Sequence, residues 1–418
     1  MTIADTLTPV VVLASPHHGG LGVTRSLGRL GVPVFNVDPV RWTPALLSRY
    51  CRGKLIWDLD QAPPEKSVDY LVNVARDVRQ RSILIPTTDN AAMFVADYAD
   101  ALKEWYIFPA QSGDLVHSLC SKREMHSLAG KLRTPTPMTL YFDSRADLID
   151  SLKNIELPVM IKGVNGQLRK RASKTKLIIR NRPEILNLCN RIDDRTARNL
   201  IVQEYIPGGE DTVWMFNGYF NQRSECMVGF TGRKIRQCPA YTGVTSLGIC
   251  QQNDVVKETA RKFIKAVGYR GIVDMDFRYD ARDGVYKLLD VNPRIGSTFR
   301  LFVSESGMDV VRALYLDMTK QPVKPAWAAN GRKWIVEDFD LAASFRYWQD
   351  RKLTFWEWLS SLRGIQESAF FAADDPLPML AMMRADVREL FHRVQPRRRA
   401  VQPFEYESSA AVSAGELR

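Results

Sequence analysis

Apolar and polar positions alternate along the first hundred residues in a way that predicts strands and helices in turn. The predicted elements are, in order, a strand over 10–14, a helix over 23–30, strands over 32–37 and 82–85, a helix over 91–102 and a strand over 106–108. Strands that alternate with helices indicate a parallel, doubly wound sheet with helices on both faces.

The pattern changes after residue 112, where a helix over 119–132 meets the proline-containing connection 134–137. Mostly strands follow: 138–142, 158–162, 176–180, 200–204, 211–216, 223–230, 271–279 and 285–291, with helices over 145–153 and 255–267. The last hundred residues are helical and rich in aromatic side chains. We therefore predict four regions: an N-terminal α/β domain (1–115), two further segments (116–200 and 201–320) and a helical C-terminal region (321–418).

The net charge of the chain indicates which classes of ligand it would attract. The 58 Lys and Arg residues exceed the 47 Asp and Glu residues, which gives a net charge of +11 and favours a polyanion, an anionic membrane surface or a phosphate-bearing ligand. Eleven basic and only three acidic side chains lie within 162–198, so most of the excess is local. Because no basic stripe is interleaved with stacking aromatics, we expect phosphate binding at one site and no nucleic-acid partner.

The cysteines and the apolar runs bear on the cellular compartment. The six cysteines lie far apart, without a Cys-x-x-Cys pair, and are expected to be reduced thiols. No apolar run approaches the roughly 18 residues of a membrane span. The first residues lack the basic segment of a secretory signal, so we expect a cytoplasmic protein.

Two predicted neighbouring strands carry the strongest candidate site. Asp290, Asn292 and Arg294 are two residues apart and therefore share a face of their strand. A hairpin around 283–284 brings Asp276 beside Asp290. Two carboxylates and an amide oxygen form a hard-oxygen site suited to Mg²⁺ carrying phosphates, and Arg294 would clamp a transferring phosphoryl group. The spacing alone is equally compatible with edge strands that bear solvated acids.

Two upstream segments add to this site. Lys162 ends an apolar strand and precedes the loop 163–166, whose backbone N–H groups can approach phosphate oxygens. The segment 202–210 is an extended stretch followed by a turn and the acid Glu210. Either segment by itself is also explained as an ordinary strand end.

In this order, the three segments resemble the ATP-grasp superfamily, in particular its carboxylate–amine (amino-acid) ligase branch, over roughly residues 115–310. The resemblance implies ATP bound between two α+β lobes. The implied ATP contacts are Lys122, Lys162, Gln203, Glu204, Tyr205, Ile206 and Glu210, the last on the ribose. The implied Mg²⁺ ligands are Asp276, Asp290 and Asn292, with Arg294 and Lys162 as catalytic groups. The family most often has Glu where Asp290 stands, which leaves open whether one or two Mg²⁺ ions bind.

The resemblance also implies a reaction. A carboxylate would attack the γ-phosphate of ATP to give an acyl phosphate, and an amine would displace the phosphate to leave an amide, so the expected partners are small-molecule acids and amines. Polar loops at 239–246 and 296–300 flank the site, and Ser297 and Arg300 are the substrate candidates. A homo-oligomer is compatible with this reading.

Other classes of protein remain open at this point. Gly19, Gly20 and Gly22 follow a strand, and Asp38 ends the next one, which resembles the dinucleotide fingerprint of an NAD(P)-dependent oxidoreductase. A non-catalytic, regulatory ATP-binding protein is a further alternative. The C-terminal region, with the basic run 397–399, would cap the lobes, mediate self-association or present its charge to a partner.

Overall fold

A computed structural model of the chain describes residues 1–15, 18–153, 155–163, 176–190 and 192–394. Its strands form a five-stranded, a four-stranded and a seven-stranded sheet. Among the described helices, none combines the length and apolar character that crossing a bilayer requires. All six cysteines are free thiols, as the sequence predicts.

The first sheet belongs to the N-terminal region. Its elements are β1 (Val10–Leu13), α1 (His18–Gly28), β2 (Val34–Asp38), α2 (Pro44–Leu47), β3 (Cys51–Ile56), α3 (Pro64–Val78), β4 (Ser82–Pro86), α4 (Asp89–Asp97), α5 (Ala99–Leu102) and β5 (Tyr106–Ile107). The strands are parallel in the order β3-β2-β1-β4-β5. Val10 and Val12 enter one hydrophobic core, whereas Val11 and Leu13 enter another. Because both faces of β1 are covered, the predicted doubly wound parallel sheet is confirmed.

The second sheet forms the small lobe. Its elements are α6 (Gly113–Cys120), α7 (Lys122–Lys131), β6 (Thr139–Tyr141), α8 (Arg145–Lys153), β7 (Val159–Gly163), β8 (Lys176–Ile179), α9 (Arg182–Cys189), α10 (Asp194–Arg198) and β9 (Leu200–Glu204). The strands are antiparallel in the order β6-β9-β7-β8. The single helix predicted over 119–132 is two helices, because Ser121 has extended backbone and caps α7 by accepting a hydrogen bond from the Glu124 N–H.

The third sheet forms the large lobe and extends into the C-terminal region. Its elements are β10 (Val213–Phe220), β11 (Cys226–Cys238), β12 (Val244–Cys250), α11 (Asp254–Val267), β13 (Gly271–Asp280), β14 (Val285–Asn292), α12 (Val310–Met318), β15 (Lys333–Ile335), α13 (Glu337–Gln349), α14 (Phe355–Ser361), β16 (Ile365–Ser368) and α15 (Leu377–Val394). The strand order is β14-β13-β10-β11-β12-β15-β16. The loop expected over 239–246 is shorter, because β12 begins at Val244.

The sequence predicted a helical C-terminal region, but this region also contains the strands β15 and β16. β15 pairs antiparallel with β12, and β16 pairs parallel with β15, so this region completes the sheet of the large lobe. Asp340 on α13 accepts two hydrogen bonds from the buried Arg236 guanidinium on β11. The four-region division remains a prediction, and the basic run 397–399 lies outside the described residues.

Candidate functional site

A cleft of about 400 Å³ opens between the small and the large lobe. The period-2 alternation of strands decides which side chains line it. On β7, Val159 and Ile161 point into the core of the small lobe, whereas Met160 and Lys162 face the cleft. On β13, Val273, Met275 and Phe277 are buried against helices, and the polar residues between them face the cleft: Asp274, Asp276 and Arg278.

Lys162 is held in place by a chain of hydrogen bonds. Its Nζ donates to Gln203 Oε1 at 2.5 Å, and Gln203 Nε2 lies 3.2 Å from His126 Nε2 and 3.1 Å from Thr139 Oγ1. Burial and the nearby Lys162 charge lower the pKa of His126 to about 4, so the ring is neutral and accepts the amide hydrogen. Gln203 therefore presents its carbonyl oxygen to the lysine and orients the ammonium group at the cleft wall.

The strand end after Gln203 forms one end of the cleft. Tyr205 and Ile206 line it, and the Arg278 guanidinium lies over the Tyr205 ring, 5.7 Å from its centroid. Arg278 also donates to the Gly208 carbonyl oxygen at 2.7 Å. The Glu204 carboxylate accepts from the Met138 N–H and pairs with Arg282 and Lys287. Its side chain is therefore held by protein groups at this end of the cleft.

The predicted acidic pair comes together on the floor of the cleft. Asp276 lies opposite Asp290, and Asp274 opposite Asn292, in the β13–β14 register. The register shifts after Asp276, which is a bulge that turns Asp290 and Asn292 toward the cleft. A lysine lies beside each carboxylate: Lys234 Nζ is 3.2 Å from Asp276 Oδ2, and Lys122 Nζ is 3.9 Å from Asp290 Oδ2.

Arg294 connects this floor to the N-terminal domain. Its Nε donates to Asp89 Oδ1 at 2.8 Å, one terminal nitrogen donates to Asn292 Oδ1 at 3.2 Å, and the other to the Ile295 carbonyl oxygen at 3.1 Å. Asp89 is the first residue of α4, so a residue 205 positions away in the sequence fixes the direction of the guanidinium group. Arg294 lines the cleft beside the acidic pair.

The structure brings most of the predicted site residues to one cleft. Those that line it are Lys122, Lys162, Gln203, Glu204, Tyr205, Ile206, Asp276, Asp290, Asn292, Arg294 and Ser297. Glu210 lies in a short 3-10 turn, where its carboxylate accepts a hydrogen bond from the Tyr347 hydroxyl at 2.6 Å, and it is not among the lining residues.

The prediction that Arg300 binds the substrate is wrong. Arg300 is buried away from the cleft and pairs with Asp309 at 2.5 Å and with Glu367 at 2.7 Å. Glu367 also pairs with Arg332. With two carboxylates already bound to its guanidinium, Arg300 ties the segment after β14 to α12 and β16, and it is not placed to bind a substrate carboxylate.

Two charged residues of the cleft floor were missed from the sequence. Lys234 lies on β11, where nothing local distinguishes it from an ordinary strand lysine. Asp274 shares a face with Asp276 by the same two-residue spacing that was used for Asp290 and Asn292, so that signal was present in the sequence. Burial and the charge of Asp276 raise the pKa of Asp274 to about 6.

The donor chemistry of the floor fits Mg²⁺. Asp276 and Asp290 supply carboxylate oxygens and Asn292 an amide oxygen; Mg²⁺ keeps several waters and binds through one or two carboxylates plus substrate phosphates. Within the described ranges, no group of three or more His, Cys, Asp or Glu side chains forms a metal site. Such an ion would therefore depend on phosphate oxygens for the rest of its ligands.

Some of the predicted phosphate-binding residues lie outside the described residues. These are the loop residues 164–166 and, within the basic stretch, Arg169, Lys170, Arg171, Lys174 and Arg191. The described basic residues that line the cleft are thus Lys122, Lys162, Lys234, Arg278 and Arg294.

The glycines of the N-terminal region have a packing role. Gly22 lies within α1, and a Cβ there would be 2.8 Å from the Phe299 ring, so this helix approaches the large lobe closely. Asp38 is buried, with burial raising its pKa to about 6. A buried carboxylate is a poor ligand for a ribose, so the geometry argues against the dinucleotide alternative.

Comparison with known proteins agrees with this architecture. No family model matches the chain. It is 23% identical over 338 residues to a D-aspartate ligase of Enterococcus faecium, which covers 77% of this chain and 79% of that protein. An L-amino acid ligase of Bacillus licheniformis superposes with a TM-score of 0.56 at 14% identity, covering 76% of this chain and 75% of the other. An N5-carboxyaminoimidazole synthetase of Staphylococcus aureus complexed with ADP superposes with a TM-score of 0.59 at 11% identity, covering 78% and 81%.

The chain shares its fold with these ligases and synthetases, so the resemblance inferred from the sequence is confirmed. The proteins that it resembles are ATP-grasp ligases that form carbon–nitrogen bonds.

Proposed function

We propose that the chain is an ATP-dependent carboxylate–amine ligase that forms an amide through an acyl phosphate and releases ADP and phosphate. The observation that carries the proposal is the cleft itself, where lysines from the small lobe face an acidic pair and an arginine from the large lobe. The names of the D-aspartate ligase and the L-amino acid ligase support amino-acid-like substrates.

Residues of both lobes would bind the nucleotide. The stretch from Gln203 to Ile206 would edge the adenine, as the family resemblance implies, beside the Arg278 guanidinium. Lys122 and Lys162 would neutralise the phosphates. Mg²⁺ bound to Asp276, Asp290 and Asn292 would supply charge neutralisation at the phosphate oxygens.

The reaction would proceed in two balanced steps. A carboxylate oxygen of the first substrate attacks the γ-phosphorus, and the bond from that phosphorus to the bridging oxygen breaks, so ADP leaves. The ammonium form of the amine first loses a proton; the amine nitrogen then attacks the carbonyl carbon, phosphate leaves, and the nitrogen loses a second proton. Lys162 and Arg294 act by position and charge on the transferred group, without covalent catalysis.

The test is product formation by the purified chain with ATP, Mg²⁺ and pairs of acids and amines, beginning with D-aspartate and L-amino acids as the acids. We expect ADP and phosphate only when both substrates are present. Formation of AMP and pyrophosphate, or reduction of NAD(P)⁺, would contradict the proposal.

Lys162→Met provides a residue-level test of the same proposal. Loss of one pre-organised charge costs about 3 kcal/mol of transition-state stabilisation, so kcat should fall about 100-fold or more. Lys153→Met is the matched control, because this lysine is exposed on the same lobe and, among the described residues, pairs with its helical neighbour Asp150 alone. Equal activity of the two variants, with unchanged circular dichroism, would remove Lys162 from the phosphate site.

A further inference from the structure

Strand β13 carries its cleft-facing charges in a fixed order. Arg278 lies at the end of the cleft formed by Tyr205 and Ile206; Asp276 lies opposite Asp290 in the middle; and Asp274 lies beyond it, opposite Asn292. Residues two apart on a strand are separated by about 7 Å. If the adenine binds beside Tyr205 and Ile206 and the phosphates bind at the acidic pair, Asp274 is the next polar group past the phosphates.

Asp274 is closely enclosed. A Cβ on Gly296 would lie 2.4 Å from the Asp274 carboxyl carbon, so the absence of a side chain at position 296 makes room for this carboxylate. The neighbouring Ser297 also lines the cleft. Asp274 therefore lies at the end of the cleft that faces the loop after β14, which is where a second substrate would meet the transferred group.

The cations near Asp274 have other partners. Lys234 pairs with Asp276, and Arg294 donates to Asp89, Asn292 and the Ile295 carbonyl. Across the described ranges, no Lys or Arg lies within salt-bridge distance of Asp274. A carboxylate in this position repels a phosphate or a second carboxylate and attracts a cation.

An independent observation comes from the neighbouring strand. Asn217 lies opposite Asp274 on β10 and is fully buried, and its Nδ2 donates to Asp274 Oδ1 at 3.4 Å. Its amide oxygen has no hydrogen-bond donor among the described residues. Asn217 is not among the residues that line the cleft, so its amide holds the Asp274 carboxylate in place from behind. A carboxylate that is fixed in this way and lines the cleft suits a ligand with several N–H donors and a positive charge, which describes a primary ammonium group.

We propose that Asp274, held in position by the Asn217 amide, binds the ammonium group of the amine substrate and so selects the second substrate of the ligase. This inference rests on the proposed function and deepens it, since that function leaves the amine site unassigned. Phosphate transfer to the first substrate does not involve Asp274 in this scheme.

The experiment separates the two half-reactions. Hydroxylamine is an uncharged nucleophile at neutral pH and converts an acyl phosphate into a hydroxamate without the natural amine. For Asp274→Asn we expect hydroxamate formation within about twofold of wild type, whereas the KM for the amine rises about ten- to a hundredfold, the range for losing a hydrogen bond to a charged group. Asp283→Asn, at the turn of the same hairpin, should leave both reactions unchanged.

Two results would overturn the inference. One is an unchanged KM for the amine in Asp274→Asn; the other is an equal loss of hydroxamate and amide formation with a raised KM for ATP, which would place Asp274 in the nucleotide site. If Asp274→Asn does not fold, Asp274→Ser is measured in the same way. Wild-type enzyme that forms neither hydroxamate nor ADP with any acid would instead overturn the proposed function, and this inference with it.

Discussion

Single side chains of the cleft act through the partners that fix them. The neutral His126 ring accepts from Gln203, and Gln203 accepts from Lys162, so the direction of the lysine depends on the protonation state of a histidine that does not line the cleft. Arg294 is directed by Asp89 in the same way. At this scale the site is a set of pre-oriented charges, each supported by a second residue.

His126 gives a prediction on pH dependence. Its pKa is lowered to about 4 in the folded chain and is about 6.5 in the unfolded chain. Between these two pKa values, protons bind the unfolded state more readily than the folded state. The free energy of unfolding therefore falls as the pH falls, and it is about 2 kcal/mol lower at pH 5 than at pH 7. Urea unfolding at pH 7 and pH 5 measures this loss. In His126→Gln, the loss of unfolding free energy between the two pH values should be smaller by about 2 kcal/mol. Identical losses in wild type and variant would contradict the assignment.

At the scale of elements, strand pairing builds the floor of the cleft. The β13–β14 bulge lets Asp290 and Asn292 face the same side as Asp276 and Asp274, although Leu288 and Val291 remain buried on the other side. A uniform alternation would not place all four polar side chains there. The same long sheet continues through β11 and β12 into β15 and β16, so the C-terminal region is attached to the strands of the site.

The attachment of α13 to β11 can be measured. Asp340→Ala would leave the Arg236 guanidinium buried without its carboxylate, and the free energy of unfolding should fall by about 3–5 kcal/mol. Arg346→Ala, which removes an exposed ion pair on the same helix, should change it by less than about 1 kcal/mol. Chemical denaturation of both variants provides the comparison. Similar small effects would mean that α13 docks mainly through apolar contacts.

At the scale of the whole molecule, the segment after β16 packs against the N-terminal region. Asp375 is buried and accepts hydrogen bonds from Arg25 Nε, Ser48 Oγ and the Arg49 N–H. Arg25 also donates to the Ala369 and Phe370 carbonyl oxygens. The segment after β16 therefore binds α1 and α2 of the N-terminal domain, and Arg294 and Asp89 join the same domain to the large lobe.

We predict that the contact between the segment after β16 and the N-terminal region depends on Asp375. Asp375→Ala leaves a buried arginine unpaired and should lower the free energy of unfolding by about 3–5 kcal/mol. The neighbouring Asp374 is the control, because it is partly exposed and pairs with Arg29 at the surface; Asp374→Ala should cost about 1 kcal/mol or less. Thermal unfolding distinguishes the two, and a larger effect at Asp374 would show that the surface pair makes the main connection.

The sequence by itself determined the parallel N-terminal sheet and most of the cleft-lining residues. Alternation of apolar residues is a local property, so it shows which side of β7, β13 or β14 carries the polar groups. β3 was missed because it lies at the sheet edge, where an exposed strand carries no continuous apolar run. The spacing of Asp276, Asp290 and Asn292 predicted their meeting, since a hairpin joins their strands.

Only the tertiary structure decided which charges meet across elements distant in the sequence. Arg300 was expected in the cleft, but Glu367, 67 residues later, binds it in the interior. Lys234 meets Asp276 and Asp89 meets Arg294 because separate sheets and domains pack together. Local periodicity indicates the face of the strand on which a side chain lies, but it does not indicate which residue the side chain contacts. That contact depends on how distant elements pack together, which is a property of the whole chain.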